Sequence, residues 1–529
     1  MSVAPAPPDA AALEAGAAAA GAPAGDAARV RATRLRSVAW RLGVLALSMA
    51  FTVQPFGRDP DTWWHLAIGR LIGSGGIPST EPFSFEPAAQ AWVGQQWLYE
   101  RLLALMVDGG GPGLAMVVLG LAGAAAFLVA GLCLRRDDGV GAGWAAGSAL
   151  VCCLVAGTVL GVRGQVVTVL GTAITLLVVT RWREGSARAV WALPPLLLVW
   201  ANLHAGFVTG IALALIAAVT VAVHRAVGGE ETAPVRPLLL ATGAAALATL
   251  ANPAGVRLYG YVASTFVNPT LTQQITEWQS PNFHDMWLRL LEAVAVGLVV
   301  LWCVSGRRVD PLDVVLAVSL FGATLEAQRN MALFAVVATP QLARYGSAAW
   351  SRLPWRPRPL RPLGAAAALA CAAAVAAAVA VSVVGPEVTR SATSTYEADH
   401  YPAAAVAWAQ ANLPRSPLLS TYEWGGYLAE RLGPGEPRAV WIYGESAVFG
   451  DARLQEYVKV ATVQPGWQDV IRNLGMRFAV LPRTNPISTA LVATGWTALC
   501  RDAAADAVVL AEPDPIAPGR VAPLDAPAC

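Results

Sequence analysis

Long apolar runs alternate with short polar connections along this chain, and that alternation limits its fold class before any motif is read. Runs of roughly 17 to 25 residues can cross a hydrocarbon core of about 30 Å as helices. Candidate spans, some of them short for a full crossing, lie near residues 37–55, 112–134, 142–162, 165–181, 189–203, 205–224, 236–251, 287–304, 311–326, 329–345 and 363–385. Of the 529 residues, 56% are hydrophobic and 14% charged, where a soluble domain carries about 25% charged residues. The pattern predicts a polytopic α-helical membrane protein of about 11 transmembrane helices, with membrane lipids around it. A net charge of +2 gives no reason to expect nucleic acid as a partner.

Arginine placement orients the chain. Basic clusters fall in alternate connections: Arg29 to Arg41, Arg135–Arg136, Arg181 to Arg188, Arg225 and Arg236, Arg307–Arg308, and the stretch 344–362. Short basic loops stay in the cytoplasm, so the N-terminus is expected inside and, after an odd number of crossings, the C-terminal part outside. Residues 1–28 form a low-complexity Ala/Pro/Gly tail expected to be disordered. Residues 29–385 make the membrane domain, with a large first external loop at 56–111. From 386 to 529 the composition turns soluble, and helical stretches such as "YPAAAVAWAQANL" alternate with strands such as "RAVWIYG", "MRFAVLP", "WTALCRD" and "DAVVLAE". That alternation predicts a small exoplasmic α/β domain. If it is exported, Cys500 and Cys529 are free to pair; a reduced pair is the alternative.

The same threading gathers the unusual polar stretches on the outer face: "GRDPDTWWHLAIGR" (57–70), "RGQ" (163–165), "NLHAG" (202–206), the region 252–285 and "EAQRN" (326–330). Charges that persist at span ends usually face a protein or water cavity, which suggests one shared site. In the first stretch, Asp59 is expected as helix cap and Pro60 as the first helical residue. Asp61 and His65, four apart, then share a face and could hold a divalent metal or share a proton. Trp63 and Trp64 are expected toward the headgroups. A plain interfacial helix, with Asp59 a mere cap and Trp64 an anchor, is the competing reading.

The segment "DPDTWWHLAIGRLIGSGGIPSTEPFSFEPAAQAWVGQQWLYERLL" resembles the first external loop of bacterial membrane proteins in the GT-C glycosyltransferase superfamily, similar to dolichyl-phosphate-mannose-type and aminoarabinose-transferase-type enzymes. The shared pattern is an acidic–Trp–Trp–His run, a Pro-x-x-(Asp/Glu)-Pro-Phe-Ser segment and a Trp-rich helix. "WANLHAGFVTG", "LANPAGVRLY", "ITEWQSPNF", "STYEWGGYL" and "WIYGESAVFGDARLQEY" resemble later motifs of that group. The resemblance implies inverting transfer of a sugar from a polyprenyl-phosphate-linked donor to a glycan, lipid or protein acceptor, on the exoplasmic face of the bacterial cytoplasmic (inner) membrane. It implies Asp61 as base, with Asp59 second, and Arg163 and Arg329 on the lipid phosphate, a task suited to arginine's planar fork. Trp64, His65, Asn202, His204 and Glu277 complete the implied substrate-binding set. Metal use stays open, with Asp59, Asp61 and His65 the ligands if a divalent ion binds.

Plainer roles compete for several of these residues. Arg163 could snorkel to headgroups, Asn202 and His204 could hydrogen-bond between helices, Glu277 could pair with Arg257, and Glu326 with Arg329. The chain departs from the group's pattern in "NLHAGF" for "NLHGGF", and in "YGES" (443–446) where an acidic–Gly–Arg run is expected. The second departure counts against a role for the C-terminal part. A non-catalytic envelope-assembly scaffold of the same fold, or a transporter, are the alternative functions. A transporter would show midplane charges and internal repeats, which this sequence does not display.

Overall fold

The computed structural model describes residues 24–89, 91–267, 275–354, 364–392, 394–435, 437–513 and 526–529. The tail expected to be disordered lies outside these residues up to position 23; its last residues begin the helix Ala24–Thr52 instead. Each expected span falls on a helix, from Ala24–Thr52 through Met331–Ser351 to Ala365–Val379. Among the described residues, Trp97–Gly131, Gln165–Arg183, Ala205–Ala226 and Ala366–Ser391 are long and apolar enough to cross a membrane by length and composition. Ala142–Gly157, Ala187–Leu203 and Val235–Ala248 are shorter apolar helices. Large apolar side chains such as Val219, Leu247, Val299 and Val381 lie exposed on these elements. So extensive an exposed apolar perimeter suits a lipid environment rather than water.

The helices pack as a bundle around one hydrophobic cluster that includes Phe127, Trp182, Trp200, Phe207 and Phe334. Ala24–Thr52 packs on Ala365–Val379, Met331–Ser351 on Ala142–Gly157, and Trp97–Gly131 on Gln165–Arg183. Within Trp97–Gly131 the backbone breaks at Gly111, with φ 73°, and restarts at Pro112. A left-handed glycine followed by a proline at a first helical turn makes such a break cheap. The loop expected at 56–111 therefore ends where the backbone of Trp97–Gly131 breaks and its long apolar segment begins.

That loop packs tightly on itself. Gly69 of the helix Asp61–Gly75 sits against the backbone carbonyl of Glu100, so that a Cβ there would collide with it. Gly69→Ala is expected to cost about 1–3 kcal/mol or more through overpacking, because backbone cannot rotate away. A lowered melting temperature of the detergent-purified protein would register it.

The C-terminal part forms a four-stranded sheet in the order β1-β2-β4-β3, from β1 (Leu418–Ser420), β2 (Phe478–Pro482), β3 (Thr497–Asp502) and β4 (Ala507–Ala511). β1 and β2 are parallel, with Leu419 opposite Ala479; β4 runs antiparallel to both neighbours. "RAVWIYG" is not one of the four strands. Its Val440 forms an isolated bridge to Ser84 of the first loop, and the Phe85 N–H donates to the Val440 carbonyl at 3.0 Å. An apolar run signals burial but does not say which chain segment it pairs with.

Cys500, on β3, is bonded to Cys529. Closing a 29-residue separation is expected to contribute about 2–4 kcal/mol. Cys500→Ser should therefore lower the melting temperature, and reductant should do the same to the wild type but not to the variant.

One hydrophobic cluster runs from the first loop into the C-terminal part, joining Trp63, Trp64 and Phe83 to Tyr427, Trp441 and Tyr443. Trp63 is edge-on to Phe56, Tyr401 and Tyr427 at 5.3, 5.3 and 5.0 Å. Trp63 and Trp64 are thus buried at 4% and 2% exposure, and the expectation that they face headgroups is overturned. Aromatic pairs of this kind contribute about 0.5–1.5 kcal/mol beyond their burial. They are the joint between two parts of the chain.

The "STEPFSFEP" motif completes that joint. The Glu81 carboxylate accepts from the Phe83 N–H (2.8 Å), the Ser84 N–H (2.6 Å) and the Tyr443 hydroxyl (2.7 Å). The Ser84 hydroxyl donates to the Trp441 carbonyl at 2.8 Å, and the Trp441 indole donates to Glu86 at 2.9 Å.

Candidate functional site

Above the bundle, beneath the joint, lies a cavity of about 820 Å³. Its walls come from the first loop, the turn 158–165, the segments around 204, 261–265, 276–278 and 329, and the C-terminal part.

The first loop supplies the acid side. The helix starts at Asp61, one residue later than expected, with Pro60 before it. The Asp59 carboxylate accepts from the Asp61 N–H at 3.0 Å, satisfying one of the donors a helix start leaves open. Asp61 accepts from the Trp64 indole at 3.0 Å. Burial pushes the Asp61 carboxyl up to about 7, and the neighbouring Asp59 adds to this; Arg163 and the Trp64 bond pull the other way.

Arg163 sits in the turn before Gln165–Arg183, held against the loop helix by the Thr62 hydroxyl, which donates to the Val162 carbonyl at 3.0 Å. Its Nε pairs with Asp59 at 2.9 Å and its Nη1 with Glu277 at 2.9 Å. Arg329 gives Nη1 to the other oxygen of Glu277 at 3.1 Å and stacks on Trp278, 4.5 Å from the ring centre. Burial alone would raise Glu277, but the two arginines overcome it and hold the carboxyl down at about 2. Glu277 therefore bridges two guanidinium groups: it pairs with Arg163 and Arg329 where Arg257 was the expected partner, and Arg329 pairs with Glu277 where Glu326 was expected. Arg163 is a buried hub rather than a snorkelling side chain.

His204 accepts at Nδ1 from the Gly206 N–H (3.1 Å), with the Thr168 hydroxyl at 2.7 Å from the same nitrogen. This leaves Nε2 to carry the proton. Burial, then Arg329 and Arg163, push its pKa down to about 3, so the ring is neutral. Gly206 is the glycine this turn requires, since a Cβ there would strike Thr168. The Ala205 that replaces a glycine of the related pattern sits half-buried beside it.

Asp59, Asp61, Trp64 and His65 thus line one cavity with Arg163, His204, Glu277 and Arg329. Asn202 does not line it. Its carbonyl oxygen accepts from the Trp97 indole at 2.7 Å and its amide donates to the Leu198 and Ala251 carbonyls, so it ties helices together. His65 pairs through Nδ1 with Glu100 at 3.1 Å, not with Asp61, and burial holds it well below its ordinary value. Among the described residues, no three His, Cys, Asp or Glu side chains gather as a metal ion needs. Asp59 and Asp61 line the cavity together, while His65 is turned to Glu100 rather than gathered with them.

Among the lining residues that the sequence does not single out, Glu445, Tyr261 and Gln95 form one bonded group. Glu445, from the "YGES" departure, is 4% exposed and pushed up to about 7 by burial. It accepts from the Tyr261 hydroxyl (3.1 Å) and the Gln95 amide (3.3 Å). The only sequence signals were a Gly–Glu pair inside an apolar run and the doubled glutamine before Trp97.

The fold and site define a class: a helical bundle with an exposed apolar perimeter, whose long first loop and C-terminal part close over a charged cavity. No family model matches the chain, and no curated protein matches it. Among solved structures it is similar to the apo oligosaccharyltransferase of Archaeoglobus fulgidus, at 13% identity and a TM-score of 0.48, over 83% of this chain and 69% of that one. It is similar to the same organism's AglB in complex with an inhibitory peptide and a dolichol-phosphate, at 12% identity and 0.47, over 84% and 69%. ArnT from Cupriavidus metallidurans bound to undecaprenyl phosphate aligns at 18% identity and 0.45, over 92% and 99%.

Proposed function

We propose that the protein is a membrane glycosyltransferase that moves a sugar from a polyprenyl-phosphate-linked donor to an envelope acceptor on the exoplasmic face, with inversion. One observation carries this: the Asp61 carboxyl, held near pH 7, shares a cavity of about 820 Å³ with Arg163 and Arg329. A base works best when its pKa lies near the working pH. In the proposed step the acceptor hydroxyl gives its proton to an Asp61 oxygen as it attacks the anomeric carbon. The bond to the lipid phosphate breaks on the opposite side, and the electron pair leaves on the phosphate.

Arginine supplies the countercharge to that leaving group. Arg163 is committed to Asp59 and Glu277 through Nε and Nη1, with Nη2 also 3.2 Å from Glu277. Among the described residues Arg329 makes one ion pair, Nη1 to Glu277, so it is assigned the phosphate and Arg163 the placing of Asp59 and Glu277. We assign residues 29–385 to the membrane part and 386–529 to an exoplasmic domain, with the N-terminus cytoplasmic. The experiment is compositional analysis of envelope glycans in a deletion strain. Wild-type complementation should restore the missing sugar and Asp61→Asn should not; full restoration by Asp61→Asn removes Asp61 as base.

A further inference from the structure

The cavity has a second polar corner, without arginine. Glu445 arrives from the C-terminal part, Gln95 from the first loop and Tyr261 from the helix Arg257–Val267, and all three line the cavity. They bond one another in a triangle. Tyr261 donates to one Glu445 oxygen at 3.1 Å, the Gln95 amide approaches the other at 3.3 Å, and Gln95 also donates to the Tyr261 oxygen at 3.0 Å. A carboxylate has about four acceptor positions, so two such bonds leave acceptor capacity on Glu445.

Gly444 fixes where this corner sits. A Cβ at that position would strike the Asp61 carboxylate, and its next neighbour is the Trp64 indole. Glycine alone lets the chain pass so close to the base, and the following residue is Glu445. The triangle is therefore held at a set distance from the reacting carboxylate.

Its chemistry is the converse of the arginine corner. A buried carboxyl whose phenol and amide neighbours already donate to it and to each other gives a phosphate repulsion and no countercharge. It suits hydroxyl groups, each of which donates to one partner and accepts from another. The cavity thus has one end for the leaving phosphate and one for a hydroxyl-bearing ring.

Resting on the glycosyltransferase reading, we propose that Gln95, Tyr261 and Glu445 form the subsite holding the hydroxyl groups of the transferred sugar, and that Glu445 determines which sugar is accepted. A sugar hydroxyl bound by a charged acceptor typically accounts for about tenfold or more in affinity. The full-length protein in nanodiscs would be titrated with undecaprenyl phosphate, and with the same lipid phosphate carrying glucose, galactose, mannose or arabinose. The readout is the preference for each sugar-bearing lipid over the bare one.

The wild type should prefer at least one sugar-bearing lipid by about tenfold. Glu445→Gln and Tyr261→Phe should each shrink that preference several-fold, with Glu445→Asp retaining part of it. The two variants act on different elements, so misfolding of one leaves the other as the test. A preference unchanged in both, or a wild type that binds bare lipid through Arg329 but gains nothing from any sugar, overturns the subsite while leaving the glycosyltransferase reading in place. If the wild type binds no bare lipid phosphate, or binds it equally after Arg329→Gln, that reading falls and the subsite with it.

Discussion

Asp61→Asn is expected to lower sugar transfer by about 10²–10⁴-fold, the usual contribution of a positioned general base. Asparagine matches aspartate in shape and can still accept from the Trp64 indole, which now reaches Asp61 at 3.0 Å. What it cannot do is take a proton. The wild-type pH profile should carry the same signature. Burial and then Asp59 place the Asp61 carboxyl at about 7, and only its ionised form is a base. The rate should therefore rise by about tenfold between about pH 6 and about pH 8, and the residual activity of Asp61→Asn should be flat there. His204, at about 3, and Glu277, at about 2, do not change charge in that window. Glu445 does titrate near 7, so Glu445→Gln is the needed control. If the acid limb survives in Glu445→Gln and vanishes in Asp61→Asn, it belongs to Asp61; the reverse pattern would make Glu445 the base.

Much of the helical framework was legible because a span is a local property: twenty apolar residues announce themselves whatever they pack against. The charged wall of the cavity was legible for a related reason, since arginine alternation puts Asp61, Arg163, His204, Glu277 and Arg329 at one end of the expected spans. The joint was not. Trp63 and Trp64 carry the composition of an interfacial anchor, and nothing nearby in the chain says that Tyr401 and Tyr427 will pack on Trp63 and Tyr443 beside Trp64. "RAVWIYG" has the pattern of a sheet strand, yet its bridge is to Ser84, more than 350 positions away in the chain. Asn202 sits in a polar motif beside His204 but turns to Trp97, because Asn202 is still on the helix Leu193–Leu203 whereas His204 lies past its end in extended backbone. Glu445 was hidden by its comparison with a related pattern. Its position looked like a loss, whereas the structure puts a buried carboxyl there, reached through a glycine that clears Asp61.

Arg163→Ala should disable the protein in two measurable ways. The side chain is paired with Asp59 and Glu277, all three groups being largely buried at 17%, 14% and 26% exposure. Removing one member of a buried pair leaves the other uncompensated, at a cost of about 3–5 kcal/mol, with partial exposure favouring the lower end. Glu277 keeps Arg329 at 3.1 Å, so Asp59 bears most of the loss. The first readout is a lowered melting temperature. The second is kinetic. Arg163 now pulls the Asp61 pKa down against burial, so without it Asp61 ionises only at higher pH. The acid limb of the rate profile should move upward, and activity at neutral pH should fall while partly recovering in alkaline buffer. Arg163→Lys separates charge from geometry. Lysine keeps the positive charge but lacks the fork that spans two carboxylates; it should leave the limb near its original place while still losing stability. A limb unmoved in Arg163→Ala would mean that the guanidinium does not sense Asp61, and Arg163 would then be a structural tie alone.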